Sequence, residues 1–144
     1  MLHGVEKLRV ELKAILMSGD QIIIEKRRRR KRKLEIVDST VVFRKRLEHR
    51  FELPPEIAEW AKKNVDIIDW LVFDSPIASA LRHPHSVRTL IFLLYARAHD
   101  IPIAQIAKKL GIAHEQLYRL ERLLARGGIK DTVYALLKSR LQSS

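Results

Sequence analysis

The chain has 144 residues, 47% of them hydrophobic, no cysteine, and a formal net charge of +11 at pH 7. That length suits one domain, or one small domain with an extension, with apolar residues enough for a core. Without thiols there can be no disulfide or cysteine-ligated zinc site; no run approaches the ~20 apolar residues of a membrane span, and the first residues lack a signal-peptide pattern, so a cytoplasmic protein is expected. The charge is uneven: residues 1–52 hold 15 basic and 8 acidic side chains, residues 53–82 hold 3 and 5, and residues 83–144 hold 10 and 4. Two basic blocks around a slightly acidic middle attract polyanions, either nucleic acid or an anionic membrane surface.

Val5, Leu8, Leu12 and Ile15 recur at spacings of three and four, with Leu16 widening the stripe, which predicts a helix over 4–17 ended by Ser18-Gly19-Asp20. Two heptads are too short for an independent coiled coil, so this helix packs on its own domain or forms a homodimer contact. Ile22-Ile23-Ile24 then opens a β-prone segment, followed by eight consecutive basic residues, Lys26, Arg27, Arg28, Arg29, Arg30, Lys31, Arg32 and Lys33. Leu34 and Ile36 alternate with Glu35, and Asp38-Ser39 can turn the chain. From Thr40 on, Val41, Phe43, Leu47, Phe51 and Leu53 share one parity, while Val42, Arg44, Arg46, Glu48, Arg50 and Glu52 take the other. That alternation predicts a half-buried antiparallel strand. The turn sets Ile36 opposite Val41, Leu34 opposite Phe43 and Lys33 opposite Arg44. Facing like charges destabilise a hairpin unless phosphates lie along it, so residues 26–33 with Arg44 and Arg46 are candidate backbone ligands of a nucleic acid. The alternative is a solvated charge run.

Pro54-Pro55 opens a helical stretch in which Ile57, Trp60, Ala61, Ile67, Ile68 and Leu71 continue to about Phe73, with a weak joint near Asn64 to Asp66. Trp60 and Trp70 read as core aromatics. Asp66, Asp69 and Asp74 lack the companion residues of a metal or nuclease site and read as helix-surface and capping groups. Ser75-Pro76 predicts a short helix to Leu81. His83-Pro84-His85 begins the next helix, over 84–98, with Val87, Leu90, Ile91, Leu94 and Ala98 as its buried stripe. His83, His85, His99 and His114 are too scattered for a zinc pattern; no metal, cofactor or catalytic constellation is expected, and hence no enzyme.

Residues 101–128 read as two short helices about a turn at Gly111. Ile103, Ile106, Ala107 and Leu110 share one face before it, and Leu117, Leu120 and Leu124 share one after it, with Ile112 at the corner. His114, Glu115, Tyr118, Arg119, Arg122 and Arg126 are left outward, a mostly basic face suited to a DNA groove. Ala107, Gly111, Ile112, Leu117 and Leu120 stand at the small, glycine and apolar positions of the helix-turn-helix motif, which this stretch closely resembles. The tail LERLLARGGI (Leu120–Ile129) is similar to winged-helix transcriptional regulators, in which the recognition helix ends in Gly and an apolar residue opens the wing. Beyond Gly128, however, Val133, Leu136, Leu137 and Leu141 recur at helical spacing, with Asp131 placed to cap them, predicting a fourth helix in place of a wing.

The expected fold is therefore mainly α: a C-terminal helix-turn-helix domain with an N-terminal helix and a small antiparallel β-hairpin or meander. Residues 1–53 form a basic extension, and 54–144 a helical domain containing the motif at 102–126. The resemblance implies a double-stranded DNA-binding transcriptional regulator associated with the nucleoid. The helix at 114–126 would read the major groove, with Arg119 and Arg122 as base readers. Lys108, Lys109 and the 26–33 run would hold the backbone. An RNA-binding or ribosome-associated protein stays open, since basic helical domains also bind folded RNA, as does an assembly factor that uses the motif for a protein contact.

Overall fold

The structure, a computed structural model, describes residues 33–44 and 49–143. The helix expected over 4–17, with its dimer contact at Val5, Leu8, Leu12 and Ile15, lies outside them, as do residues 26–32 and Arg46. Among the described residues the chain is mainly helical with one small sheet. Its strands are β1 (Lys33–Val37), β2 (Thr40–Arg44) and β3 (His49–Glu52), and its helices α1 (Pro55–Lys63), α2 (Val65–Phe73), α3 (Pro84–Ala98), α4 (Ile103–Leu110), α5 (His114–Arg126) and α6 (Lys130–Ser143). No helix among these residues is long and apolar enough to cross a membrane.

Asp38, at φ 56°, turns β1 into β2 in the expected register, with Lys33 opposite Arg44, Leu34 opposite Phe43 and Ile36 opposite Val41. The single strand expected from Thr40 onward is instead two, since β3 folds back on β2 with Val41 opposite Phe51 and Phe43 opposite His49. Antiparallel pairing here couples residues of like parity, so the chain can reverse between Arg44 and His49 without breaking the alternation. Val42, on the polar parity, is buried as well, flanked in register by Glu35 and Arg50 on the two outer strands. Leu34, Val41 and Leu53 belong to the same core as the helices, which therefore continues across Leu53-Pro54. The backbone N–H of Leu34 donates to Asp69 Oδ1 on α2 at 3.3 Å, tying sheet to helix.

The joint after α1 falls at Asn64, whose buried amide donates to the Trp60 carbonyl at 2.9 Å. Arg140, from the far end of the chain, reaches this joint. It donates to the Lys63 carbonyl at 2.9 Å and Asn64 Oδ1 at 3.1 Å, and its Nη2 meets Asp66 Oδ2 at 2.7 Å. After α2, Ser75 Oγ donates back to the Leu71 carbonyl at 2.7 Å and accepts from the Ile77 N–H at 3.2 Å. A hydroxyl engaged both ways holds a tight bend, and only a 3₁₀ turn at Ala78–Ala80 follows where a longer helix was expected.

α3 is the centre of the molecule. Val87, Thr89, Leu90, Ile91, Phe92, Leu93, Leu94, Ala96 and Ala98 are all buried, far more than one stripe. They are covered by α1, α4, α5, α6 and β3. Truncating such a residue, Leu93 for example, removes both its burial and the packing around it, at a cost of ~2–5 kcal/mol.

α4 ends on Gly111, at φ 68° and ψ 32°, and the Ile112 N–H closes the turn on the Ala107 carbonyl at 3.0 Å. α5 starts two residues later, and α6 begins at Lys130, so Asp131 lies within its first turn and does not cap it. A Cβ at position 111 would meet nothing within 4 Å, so the cost of adding one is purely that of the left-handed backbone. Gly111→Ala should lower the unfolding free energy in urea by about 1–2 kcal/mol; no loss would mean that the turn is not held left-handed in solution.

Candidate nucleic-acid interface

α5, HEQLYRLERLLAR, divides sharply by side. Leu117, Leu120 and Leu124 are fully packed against the core. Six residues of the helix that were expected outward, His114, Glu115, Tyr118, Arg119, Arg122 and Arg126, are all exposed. Arg119, Arg122 and Arg126 make no ion pair or side-chain hydrogen bond among the described residues. His114 lies edge-on to the Tyr118 ring, centroids 6.0 Å apart, with Nε2 3.4 Å from Glu115 Oε1. Tyr118 is one of two large exposed hydrophobic side chains among the described residues, at 37% exposure, the other being Val37.

Glu121 is the charged side chain of α5 that turns inward. Arg97 on α3 holds it with both edges of the fork, Nε to Oε2 at 2.7 Å and Nη2 to Oε1 at 3.0 Å. The Tyr134 hydroxyl on α6 donates to the same Oε2 at 2.9 Å. Three helices thus meet on one carboxylate. Burial alone would raise the Glu121 carboxyl, but the hydrogen bonds from Arg97 and Tyr134 outweigh it and leave it below its ordinary value. The same contacts act in reverse on Tyr134, where burial and then the Glu121 carboxylate push the phenol well above its ordinary value.

At its first turn α5 meets the first turn of α3, where His85 Nε2 lies 3.2 Å from Gln116 Oε1. A cleft of about 220 Å³ opens there, lined by His85, Ser86, Thr89, Glu115, Gln116, Arg119 and Leu120. Ser86 and Gln116 carry no signal in the sequence, and His85 stands out there only as one of four scattered histidines. Nothing local links positions 31 apart, and only the crossing of α3 and α5 joins them.

Of the residues expected to hold a backbone, Lys108 and Lys109 are exposed on the last turn of α4, just before the turn into α5. Lys109 is already engaged in an ion pair that stays open to solvent, its side chain 62% exposed. Its ammonium donates to Glu56 Oε1 on α1 at 2.9 Å, and this bond raises its pKa. Lys33 and Arg44 face one another in register across β1 and β2, while residues 26–32 and Arg46 lie outside the described residues.

Protein-family models, curated proteins and solved structures give no match to this chain.

The three-helix junction carries a pH signature. The Glu121 contribution to stability is present above its ordinary pKa of 4.5 and is lost as pH falls through its lower folded value. The Tyr134 contribution has the opposite sign, being present below 10.0 and lost as pH rises past it. Glu121→Gln should cost about 1–3 kcal/mol at pH 7, less than a fully buried pair because Arg97 is one-third exposed, and should reduce the acid-side slope of stability against pH. Tyr134→Phe should reduce the alkaline slope. Chemical unfolding across the pH range checks both, and unchanged slopes would exclude the assignment.

Proposed function

We propose that this chain is a double-stranded DNA-binding protein, a transcriptional regulator of the nucleoid, with α4 and α5 as a helix-turn-helix and α5 lying in the major groove. The observation that carries this reading is the outward face of α5. Its arginines project at helical spacing with no acidic partner, while the face behind them is fixed by three buried leucines and by Glu121. A rigid helix of that kind fits the width of the major groove. Arg119 and Arg122 would pair bidentately with guanine, Glu115 would accept from cytosine, and His114 and Tyr118 would touch base or phosphate. Lys108, exposed on the last turn of α4, would meet the backbone before the turn. Lys109, residues 26–33, Arg44 and Arg46 are the further backbone ligands of the proposal. Because α6 follows Gly128, the reading includes no β-wing.

Base readers and backbone ligands separate experimentally. Arg119→Ala and Arg122→Ala should each reduce discrimination between sites by ~1–3 kcal/mol in competition binding. Neutralising 26–33 should weaken binding to all sequences and flatten the salt slope by about 0.9 per lost phosphate contact. Equal losses on every sequence for both sets would sink the base-reading assignment. Selection from random DNA and RNA pools tests the partner itself: enrichment of RNA alone would overturn the reading.

Glu56 and a phosphate would compete for Lys109. Glu56→Gln should therefore tighten binding to every duplex at low salt, an effect that fades as salt is raised. Measured affinity that is unchanged or weaker would remove Lys109 from the backbone set.

A further inference from the structure

On the side of α3 where Glu121 is held, a second groove of about 330 Å³ runs between the α3–α4 turn and α6, lined by Arg97, Asp100, Ile101, Pro102, Tyr134 and Lys138. We propose that this groove binds a free α-amino acid with a small apolar side chain. Arg97 spends only two of its N–H groups, both on Glu121, and the rest of its fork has no acceptor among the described residues. Lys138 Nζ donates to Asp100 Oδ1 at 2.8 Å in a pair open to solvent, with side-chain exposures of 44% and 78%. Ile101 and Pro102 supply an apolar wall.

The charges choose the ligand. Glu121 balances Arg97 and Asp100 balances Lys138, so a bare carboxylate would leave the groove with an excess negative charge. A zwitterion keeps the balance: its carboxylate takes the open N–H groups of Arg97 and Lys138, and its ammonium takes Asp100. Asp100 itself sits at φ 55°, a left-handed position where glycine is the less strained residue, yet a carboxylate stands there against Lys138. The groove is also wired to α5, because Arg97 and Tyr134 are the two side chains that hold Glu121. On the DNA-binding reading above, amino-acid binding then changes affinity for DNA, and DNA affinity for the amino acid, by one factor. That coupling rests on the DNA reading, but the binding itself does not.

The test is calorimetric titration of the full chain with three probes: valine, 3-methylbutanoate (its skeleton without the ammonium) and inorganic phosphate. Valine should bind saturably, and 3-methylbutanoate should bind roughly tenfold or more weakly, the loss expected for one charge-assisted contact. Asp100→Gly, whose glycine suits the backbone there, and Lys138→Ala should each weaken valine by a similar factor, and valine should shift the amide resonances of α5 around Glu121. Absence of saturable valine binding, equal affinity for 3-methylbutanoate, displacement of valine by phosphate, or wild-type affinity in both variants would each overturn the proposal. A chain that takes up valine but ignores every duplex would uphold this site and overturn the DNA reading instead.

Discussion

A helix buried around most of its circumference can satisfy its surroundings in only one arrangement, and α3 imposes that constraint here. Val87, Leu90, Ile91, Leu93, Leu94 and Ala96 have no measurable exposure. Their apolar surface must be covered on several sides at once, which the sheet, α1, α4, α5 and α6 do together. Interiors are packed as densely as molecular crystals, so a shift in one covering element is felt by the others. The polar face of α5 is therefore as well positioned as the core behind it.

Apolar packing fixes which side of α5 is buried, but it does so with leucines, whose contacts tolerate small rotations and slides. The Glu121 carboxylate removes much of that freedom. A bidentate Arg97 and a Tyr134 hydroxyl on two different helices demand one position of one side chain, and hydrogen bonds are directional where dispersion is not. Loss of one partner would leave the Glu121 carboxylate, only 17% exposed, short of a hydrogen bond in a place where water replaces it poorly. The arrangement favours a single orientation of α5 over a family of similar ones.

Much of this was legible in the sequence because it is written in periodicity. The stripe at Leu117, Leu120 and Leu124, the turn at Gly111 and the hairpin register around Asp38-Ser39 all follow from local spacing, and the structure has them. The reversal between β2 and β3 was hidden because pairing of like parity leaves alternation intact through a turn. The extent of burial along α3 was underestimated for a related reason: Phe92, Leu93 and Ala96 lie off the stripe, and a pattern centred on one face gives them no partner. The site was half visible. Outward residues of α5 could be named from the helix alone, but Glu121 sits on the same helix and looks no different from Glu115 until Arg97 and Tyr134 arrive from positions 24 and 13 residues away.

The fate of the acidic side chains brings these strands together. Glu121 is taken by Arg97, Asp66 by Arg140, Glu56 by Lys109 and Asp100 by Lys138, each pair joining two elements of the fold. Each pair cancels one negative charge against one positive, and Arg119, Arg122 and Arg126 of α5 are not among the cations so used. The exposed pairs among these contribute little to stability, since solvent screens them and ordering two long side chains costs entropy. Their larger consequence is the pattern of charge that they leave: a basic face on a rigid helix and a near-neutral frame behind it. Repulsion along that face weakens the isolated protein slightly, and a polyanion laid against it would relieve the strain. On the proposed reading, the charge distribution that does least for folding is therefore the one that directs binding.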